Sequence, residues 1–321
     1  MLLTVNPQLL EGRRFTTLRT MINALSKHAD LLIAPVDSYD FEQLTVHAYR
    51  RVQGGKFASV GRIAPEADLW IVYSDGYYLD SNKFGFRLRR DYFKAQVDFH
   101  KSIMLAGKVG ALINSPDAEM KTLKNWLVQL DPDTSPVMPT YSFTSIHGVH
   151  AFLKEQGQIV AKPNWGGGGE GVLKISDQQS LKKFERDLAS CRDRELPDYS
   201  FQPYSPGPEK RFWFAGGQFA GARIIWDRDE PWEKRRNRMR VQSYDATFAD
   251  EFAADLAAAQ QLQALSGLSI GAVDFIGRRI NDINGCGTLF TQYVNWNLIV
   301  DARPVLAKHL VGLVSAANSE P

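Results

Sequence analysis

The chain has 321 residues, 44% hydrophobic and 23% charged, a composition that fits an ordinary globular protein of two or three lobes and excludes disordered and fibrous classes. Its formal net charge of +2 supplies no whole-chain attraction to nucleic acid or membrane, so neither partner is expected. Two cysteines, Cys191 and Cys286, exclude a disulfide framework and a CxxC zinc site, and fit a reducing cytoplasm.

At the amino end, MLLTVNPQLLEGRR has no long apolar core after a basic start, and no apolar run of about 18 residues occurs anywhere. A cytoplasmic chain is the expectation. Apolar runs at Leu2 to Val5, Leu31 to Val36, Leu69 to Tyr73 and Ala111 to Ile113 alternate with helical patterns at Arg13 to His28 and Arg89 to Leu105. That rhythm predicts a mostly parallel α/β lobe over residues 1–115. DLWIVYSDG and GALINSPD end in polar or turn residues, so Asp75 and Asn114 either meet substrate at strand ends or cap turns.

A helix from Glu119 to Leu130 follows, and Pro132, Pro136 and Pro139 end it. In QIVAKPNWGGGGEGVLKIS the pattern is strand, glycine loop, strand, with an amphipathic helix from Gln178 to Cys191 completing a second lobe over 116–200. The third lobe, 201–321, reads as successive antiparallel strands in SFQPY, RFWFAGG and FAGARIIW, a helix from Ala249 to Leu265, the hairpin GAVDFIGRRINDIN and a closing helix near Arg303 to Val314.

Gly166, Gly167, Gly168, Gly169 and Gly171 remove Cβ from most of one turn, which lets backbone N–H groups approach a charged ligand closely. Phosphate is the natural guest. The letters also satisfy G-x-G-x-x-G, but VLKIS follows as a strand where a dinucleotide fold requires a helix. A glycine flap over nucleotide phosphates remains, with Lys162 just ahead of it as a compact cation; the bland alternative is a surface hairpin with an ordinary lysine.

In GAVDFIGRRINDIN a turn centred on Arg278 sets Asp274 opposite Asp282, with Asn284 two residues along the same face. Facing carboxylates repel unless a cation lies between them, and hard oxygen ligands suit Mg²⁺ held jointly with phosphates. A solvated strand face is the competing reading.

Taken in order, NSPDAEMKTLKNWL, IVAKPNWGGGGEG, FQPYSPGPEKRFW, GARIIW and GAVDFIGRRINDIN resemble the ATP-grasp superfamily, especially its glutathione synthetase and ribosomal-protein glutamate ligase branch, over roughly residues 110 to 300. The resemblance implies an α/β (α+β) ATP-grasp fold with a Rossmann-like amino-terminal lobe. It also implies ATP and Mg²⁺ as cofactors, with Mn²⁺ as a substitute ion. By the same resemblance Lys124 and Lys162 contact ATP phosphates, with Lys121 a less apt substitute for Lys124. Gln202, Pro203 and Tyr204 line the adenine pocket, and Glu209 holds the ribose. Arg211 and Arg223 face the γ-phosphate or acyl phosphate, and Asp274, Asp282 and Asn284 hold the metal.

The activity so implied is carboxylate-amine ligation on small-molecule acids and amines, through an acyl phosphate, by a monomer or homo-oligomer. An ATP-binding regulator resembling synapsin and an ATP-grasp small-molecule kinase are the alternatives. EKRRNRMR, with Lys234, Arg235, Arg236, Arg238 and Arg240, is either a lid over an acidic substrate or solvated surface. Gly285, Cys286 and Gly287 depart from the branch's usual Ser-Pro continuation, which implies a different substrate pocket.

Three further signals are set aside. Gly267, Ser269 and Gly271 spell G-x-S-x-G but follow a helix and open a strand, the reverse of a nucleophile elbow. His147 and His150 have no third ligand nearby in sequence. The FGFRLRRDYF stretch, with Arg87, Arg89 and Arg90, reads as a helix start with snorkelling arginines rather than an RNA contact.

Overall fold

The computed structural model describes residues 1–5, 22–23, 25–27, 29–52, 56–72, 86–165, 169–191, 193–225, 246–285 and 303–317. Three sheets organise it. The first contains β1 (Leu2–Val5), β2 (Leu32–Pro35), β3 (Tyr39–Asp40), β4 (Thr45–Arg51), β5 (Phe57–Ile63), β6 (Ala67–Val72) and, after helix α1 (Phe86–Leu105), β7 (Val109–Ile113). Its order is β3-β4-β2-β1-β6-β7, with β5 paired to the far side of β4.

The four strands β2, β1, β6 and β7 are parallel, as expected. An antiparallel extension, β3 to β5, was not anticipated. It is short or exposed: β3 has two residues, and β5 buries neither face, so no sequence period marks it. Most of the helix expected at 13–28 lies outside the described residues, although Ile22 and Leu25 are buried.

Strand alternation assigns the two faces of this sheet. Leu2, Trp70 and Val72 pack with Phe99 and Ile103 of α1. Leu3, Val5, Leu69 and Ile71 pack instead on Trp213, Ala215, Ile270 and Ala272 of the third sheet.

The helix expected over 119–130 is two pieces, α2 (Pro116–Met120) and a 3₁₀ turn over Lys124–Gln129. Lys121 caps α2, and Leu123 is extended, which breaks the helical run. Next come α3 (Ile146–Gln156), β8 (Ile159–Pro163), β9 (Leu173–Ile175), α4 (Gln178–Ser190) and β10 (Tyr199–Pro203). The second sheet is β10-β8-β9, all antiparallel, covered by α3 and α4 through Val149, Phe152, Leu181 and Phe184.

The third sheet is built from β11 (Glu209–Ala215), β12 (Gln218–Ile225), β13 (Ile270–Ile276) and β14 (Arg279–Asn284), in the order β12-β11-β13-β14. SFQPY therefore does not precede β11 in one sheet, as the run of apolar segments suggested. It pairs with β8, five residues in register, and Ser205 to Pro208 carry the chain to the next sheet. Helix α5 (Ala246–Ser266) covers the third sheet's outer face, and α6 (Arg303–Ala317) packs against the first and third sheets.

A strap joins the second and third sheets. Val137 bridges β14, with Met138 N–H donating to Ile280 O and Ile280 N–H to Pro136 O, both at 2.7 Å. Four residues on, Tyr141 bridges β10 through two bonds with Phe201, at 2.9 and 2.8 Å.

Candidate active site

The third sheet's inner face changes character along its length. On β11, Trp213 and Ala215 press on the first sheet, whereas Arg211, two residues nearer the strand start, meets charge instead. On β13 the same change falls between Ala272 and Asp274. Register then sets Arg223, Arg211, Asp274 and Asp282 in one row across all four strands, each the direct partner of the next. Arg211, Asp274 and Asp282 side by side form a polar band where the apolar packing ends.

Arg211 and Asp274 pair through both prongs of the guanidinium, Nε and Nη2 each donating to a carboxylate oxygen at 2.5 Å. Both residues are buried. Burial alone would lower the Arg211 pKa, but Asp274, with Glu209 and Asp282 adding their charge, raises it above its usual value. It stays cationic at any working pH. Asn284 donates its amide to Asp274 at 3.0 Å, and the Lys124 ammonium lies 3.3 Å from Asp282.

The pairing of Asp274 with Asp282 arises differently from the expectation. The turn is the two-residue Gly277–Arg278, with Gly277 at a φ of 57°, and that turn by itself would oppose Asp274 to Asn281. A bulge beside Asp274 inserts Asn281 as an extra residue and moves Asp282 into register. Asn281, freed from the ladder, meets the second sheet. Its Oδ1 accepts from Lys162 Nζ at 2.5 Å, and its backbone oxygen accepts from Lys162 at 3.3 Å and from Gln202 Nε2 at 3.4 Å. Gln202 also donates to Thr140 Oγ1 on the strap at 2.9 Å.

Lys162, Lys124, Gln202, Arg211, Asp274, Asp282 and Asn284 thus gather where the second and third sheets meet. Lys121 does not: its ammonium caps Leu265 O at 2.9 Å beside Trp126. Pro203 ends β10, and Tyr204 beyond it packs its ring under Lys174, whose Nζ is 3.9 Å from the centroid. Glu209 opens β11 on the face shared with Arg211. Arg223 is placed by its backbone register opposite Arg211.

Of the glycine loop, Gly169 and Gly171 are described, with φ of 78° and 72°. A Cβ on Gly171 would stand 2.6 Å from Arg194 Nη1 and 2.9 Å from Pro163 Cγ, so that position tolerates only glycine. Gly166, Gly167 and Gly168, together with Asp75, Cys286, Gly287 and the basic segment at 234–240, lie outside the described residues.

Asn114 proves to be a clip rather than a substrate contact. Its side chain donates to Ile270 O and accepts from Ile270 N–H, each at 2.9 Å, and donates to Glu119 at 2.6 Å, fully buried. Glu119 in turn sits against Gly285, where a Cβ would be 2.7 Å from its Oε2. Ser269 lies in the bend before β13 and meets His309 Nε2 at 2.9 Å, and His150 pairs with Glu185 of α4 at 2.6 Å.

Asn281 and Thr140 were missed. Nothing in a sequence marks a bulge, and Thr140 matters only because the strap passes beside Gln202.

Two carboxylates and an amide oxygen are hard donors, which suits Mg²⁺ that also takes phosphate and water ligands. Among the described residues no group of three His, Cys, Asp or Glu side chains stands ready to hold a metal by itself. Asn284 can serve only with its amide turned to present oxygen, and Arg211 and Lys124 meanwhile neutralise the two carboxylates.

No protein-family model matches the chain, and no curated protein matches it by sequence. Solved structures do. The ATP-grasp ligase PsnB, complexed with a phosphomimetic variant of its minimal precursor, Mg and ADP, superposes with a TM-score of 0.63 at 17% identity, over 98% of both chains. D-cycloserine synthetase DcsG gives 0.63 at 16% identity, over 98% of this chain and 99% of that one. D-alanyl-alanine synthetase A from Vibrio cholerae gives 0.60 at 11% identity, over 99% and 98%. At such low identity the likeness speaks for architecture, and with the second and third sheets meeting at one polar band the chain has the ATP-grasp fold.

Proposed function

We propose that this chain is an ATP-dependent carboxylate-amine ligase, forming an amide or peptide-like bond through an acyl phosphate and releasing ADP and phosphate. One observation carries the reading: Lys162, ahead of the glycine loop, touches Asn281 on the strand whose next residue, Asp282, faces Asp274. A nucleotide gripped from the glycine side and a metal held on the hairpin side would share one space. The structural neighbours point the same way, being ligases or synthetases, some of them solved with Mg and ADP.

Roles follow from position and charge. Lys124 and Lys162 hold the phosphates, Gln202 with Pro203 and Tyr204 borders the adenine, and Glu209 takes the ribose hydroxyls. Asp274, Asp282 and Asn284 hold Mg²⁺, which supplies charge neutralisation for the transferring phosphoryl group. Arg211 and Arg223 stabilise negative charge on the acyl phosphate.

A substrate carboxylate oxygen attacks the γ-phosphorus and the bond to ADP breaks. The amine nitrogen then attacks the acyl carbon, phosphate departs, and the nitrogen loses a proton. No protein nucleophile is needed. Three lobes, 1–115, 116–200 and 201–321, are proposed as the working units, each holding most of one sheet, although the boundary at 200 cuts β10, which belongs with β8. A cytoplasmic setting is proposed as well: among the described residues no helix is long and apolar enough to cross a membrane.

The test is incubation with Mg-ATP and pooled acids and amines, following ADP and product masses. ADP that requires both an acid and an amine, with a product of their summed mass less water, is the expected result. A phosphorylated small molecule would reassign the chain as a kinase, and tight ATP binding without turnover as a regulator.

A further inference from the structure

Helix α1 belongs to the first sheet, yet its opening turns are spent on the second. The Arg89 side chain is 8% exposed and grips Glu170 with both terminal nitrogens, at 3.1 and 3.0 Å. Its neighbour Arg90 donates to Asp198 at 2.9 Å, just ahead of β10. One turn further on, Phe93 meets Trp165 edge-on with ring centroids 5.5 Å apart, and the Lys94 ammonium is 5.4 Å from the same ring. Val97, another turn along, joins Phe93 and Trp165 in one cluster with Leu123. Residues 89, 93 and 97 are four apart, so a single helix face makes these contacts.

Trp165 directly precedes the glycine run, and Glu170 directly follows Gly169. One face of α1 therefore holds both ends of the loop. The forked pair at the Glu170 end fixes direction as well as distance. Arg89 is already out of water, so releasing Glu170 would leave a buried cation without that partner. Glu170 itself is 42% exposed, which lets the pair open without unpacking a core.

We propose that Arg89 and Glu170 form a latch that fixes the chain at Gly169–Gly171, beside β8, to the helix of the first sheet, so that nucleotide affinity depends on this ion pair. Arg89 acts here as a positioning residue through Glu170. The inference rests on the nucleotide-binding reading of that loop.

The test compares wild type with Glu170→Gln by amide hydrogen exchange over residues 169–175, with and without Mg-AMPPNP, and by calorimetric titration with Mg-ATP. Exchange there should rise roughly fivefold or more in the variant, and Mg-ATP affinity should fall by a similar factor, while exchange in β11 and β13 keeps the wild-type rate. The exchanged pair R89E with E170R should recover most of both losses. Should the exchanged pair not fold, Arg89→Lys keeps the charge without the fork and must give an intermediate exchange rate.

Loop exchange and Mg-ATP affinity equal to wild type in Glu170→Gln would overturn the latch, as would a wild-type exchange rate in Arg89→Lys. If wild type itself binds no Mg-ATP, the nucleotide reading fails, while exchange without nucleotide still decides whether the pair anchors the loop.

Discussion

Two consecutive residues of β11 carry buried cations to opposite faces of one sheet, and their surroundings differ. Lys210 pairs with Asp255 of α5 beneath Phe252 and Phe275, its ammonium 5.0 and 5.4 Å from the two rings. Arg211 pairs with Asp274, but Asn284, Asp282, Lys124 and Glu209 crowd the same neighbourhood. One pair lies against two aromatic rings; the other is a link in a polar chain reaching the second sheet. Burial and ion pairing alone do not separate structural from functional charge, whereas the neighbours of the pair do.

The largest expected effect tests the Lys210 pair. Asp255→Ala removes the carboxylate that the buried Lys210 pairs with and should cost about 3–5 kcal/mol in chemical denaturation, while Lys210→Met with Asp255→Leu should return most of that loss. A small loss in the single variant would erase the contrast. Next, Asp282→Asn should lower turnover by about 10³-fold, equivalent to about 4 kcal/mol, yet shift stability by only about 1 kcal/mol. Full turnover in that variant would remove the metal assignment, and a loss of stability matching Asp255→Ala would make the two faces equivalent.

A finer measurement uses ligand. Mg-AMPPNP at 100 times its dissociation constant should stabilise wild type by about 2.7 kcal/mol, and Lys162→Ala should give clearly less at the same concentration. The double replacement at 210 and 255 should keep the full increment. If it does not, the Lys210 pair also serves the ligand.

A last effect, gradual per pH unit, calibrates the fold against pH. His100 is buried in the first sheet's core with its Nε2 3.1 Å from the Tyr39 hydroxyl, and burial pushes its pKa down to about 3. The unfolded chain takes up that proton near pH 6.5, so the contribution is complete above 6.5 and is lost as pH falls toward 3, at about 1.4 kcal/mol per unit. His100→Gln should flatten that slope in denaturation curves between pH 4 and 6. An unchanged slope would place the acid sensitivity elsewhere.

Much of this arrangement was legible in the residues. Apolar runs located β1, β2, β6 and β7, the glycine run separated β8 from β9, and alternating side chains in GAVDFIGRRINDIN brought Asp274 and Asp282 together. What escaped depended on long-range partners. Tyr199 to Pro203 reads as one more strand of a meander, and only the packing of Phe201 between Phe143 and Phe184 commits it to β8. Arg89 reads as a surface arginine because its partner is 81 residues away. The bulge at Asn281 corrected a turn assigned one residue off, so the right pairing came from the wrong turn.

The strap over residues 136–141 has a mechanical consequence. At its two ends it is stitched to β14 and β10 by four main-chain bonds, whereas Lys162 and Gln202 cross the same junction with side chains alone. Side-chain bonds break and re-form individually, but both main-chain bonds at one end of the strap must give way together before the sheets can part at that edge. Relative rotation of the two sheets is thereby confined to a book-like swing about the strap as its spine, and the margin remote from it travels farthest.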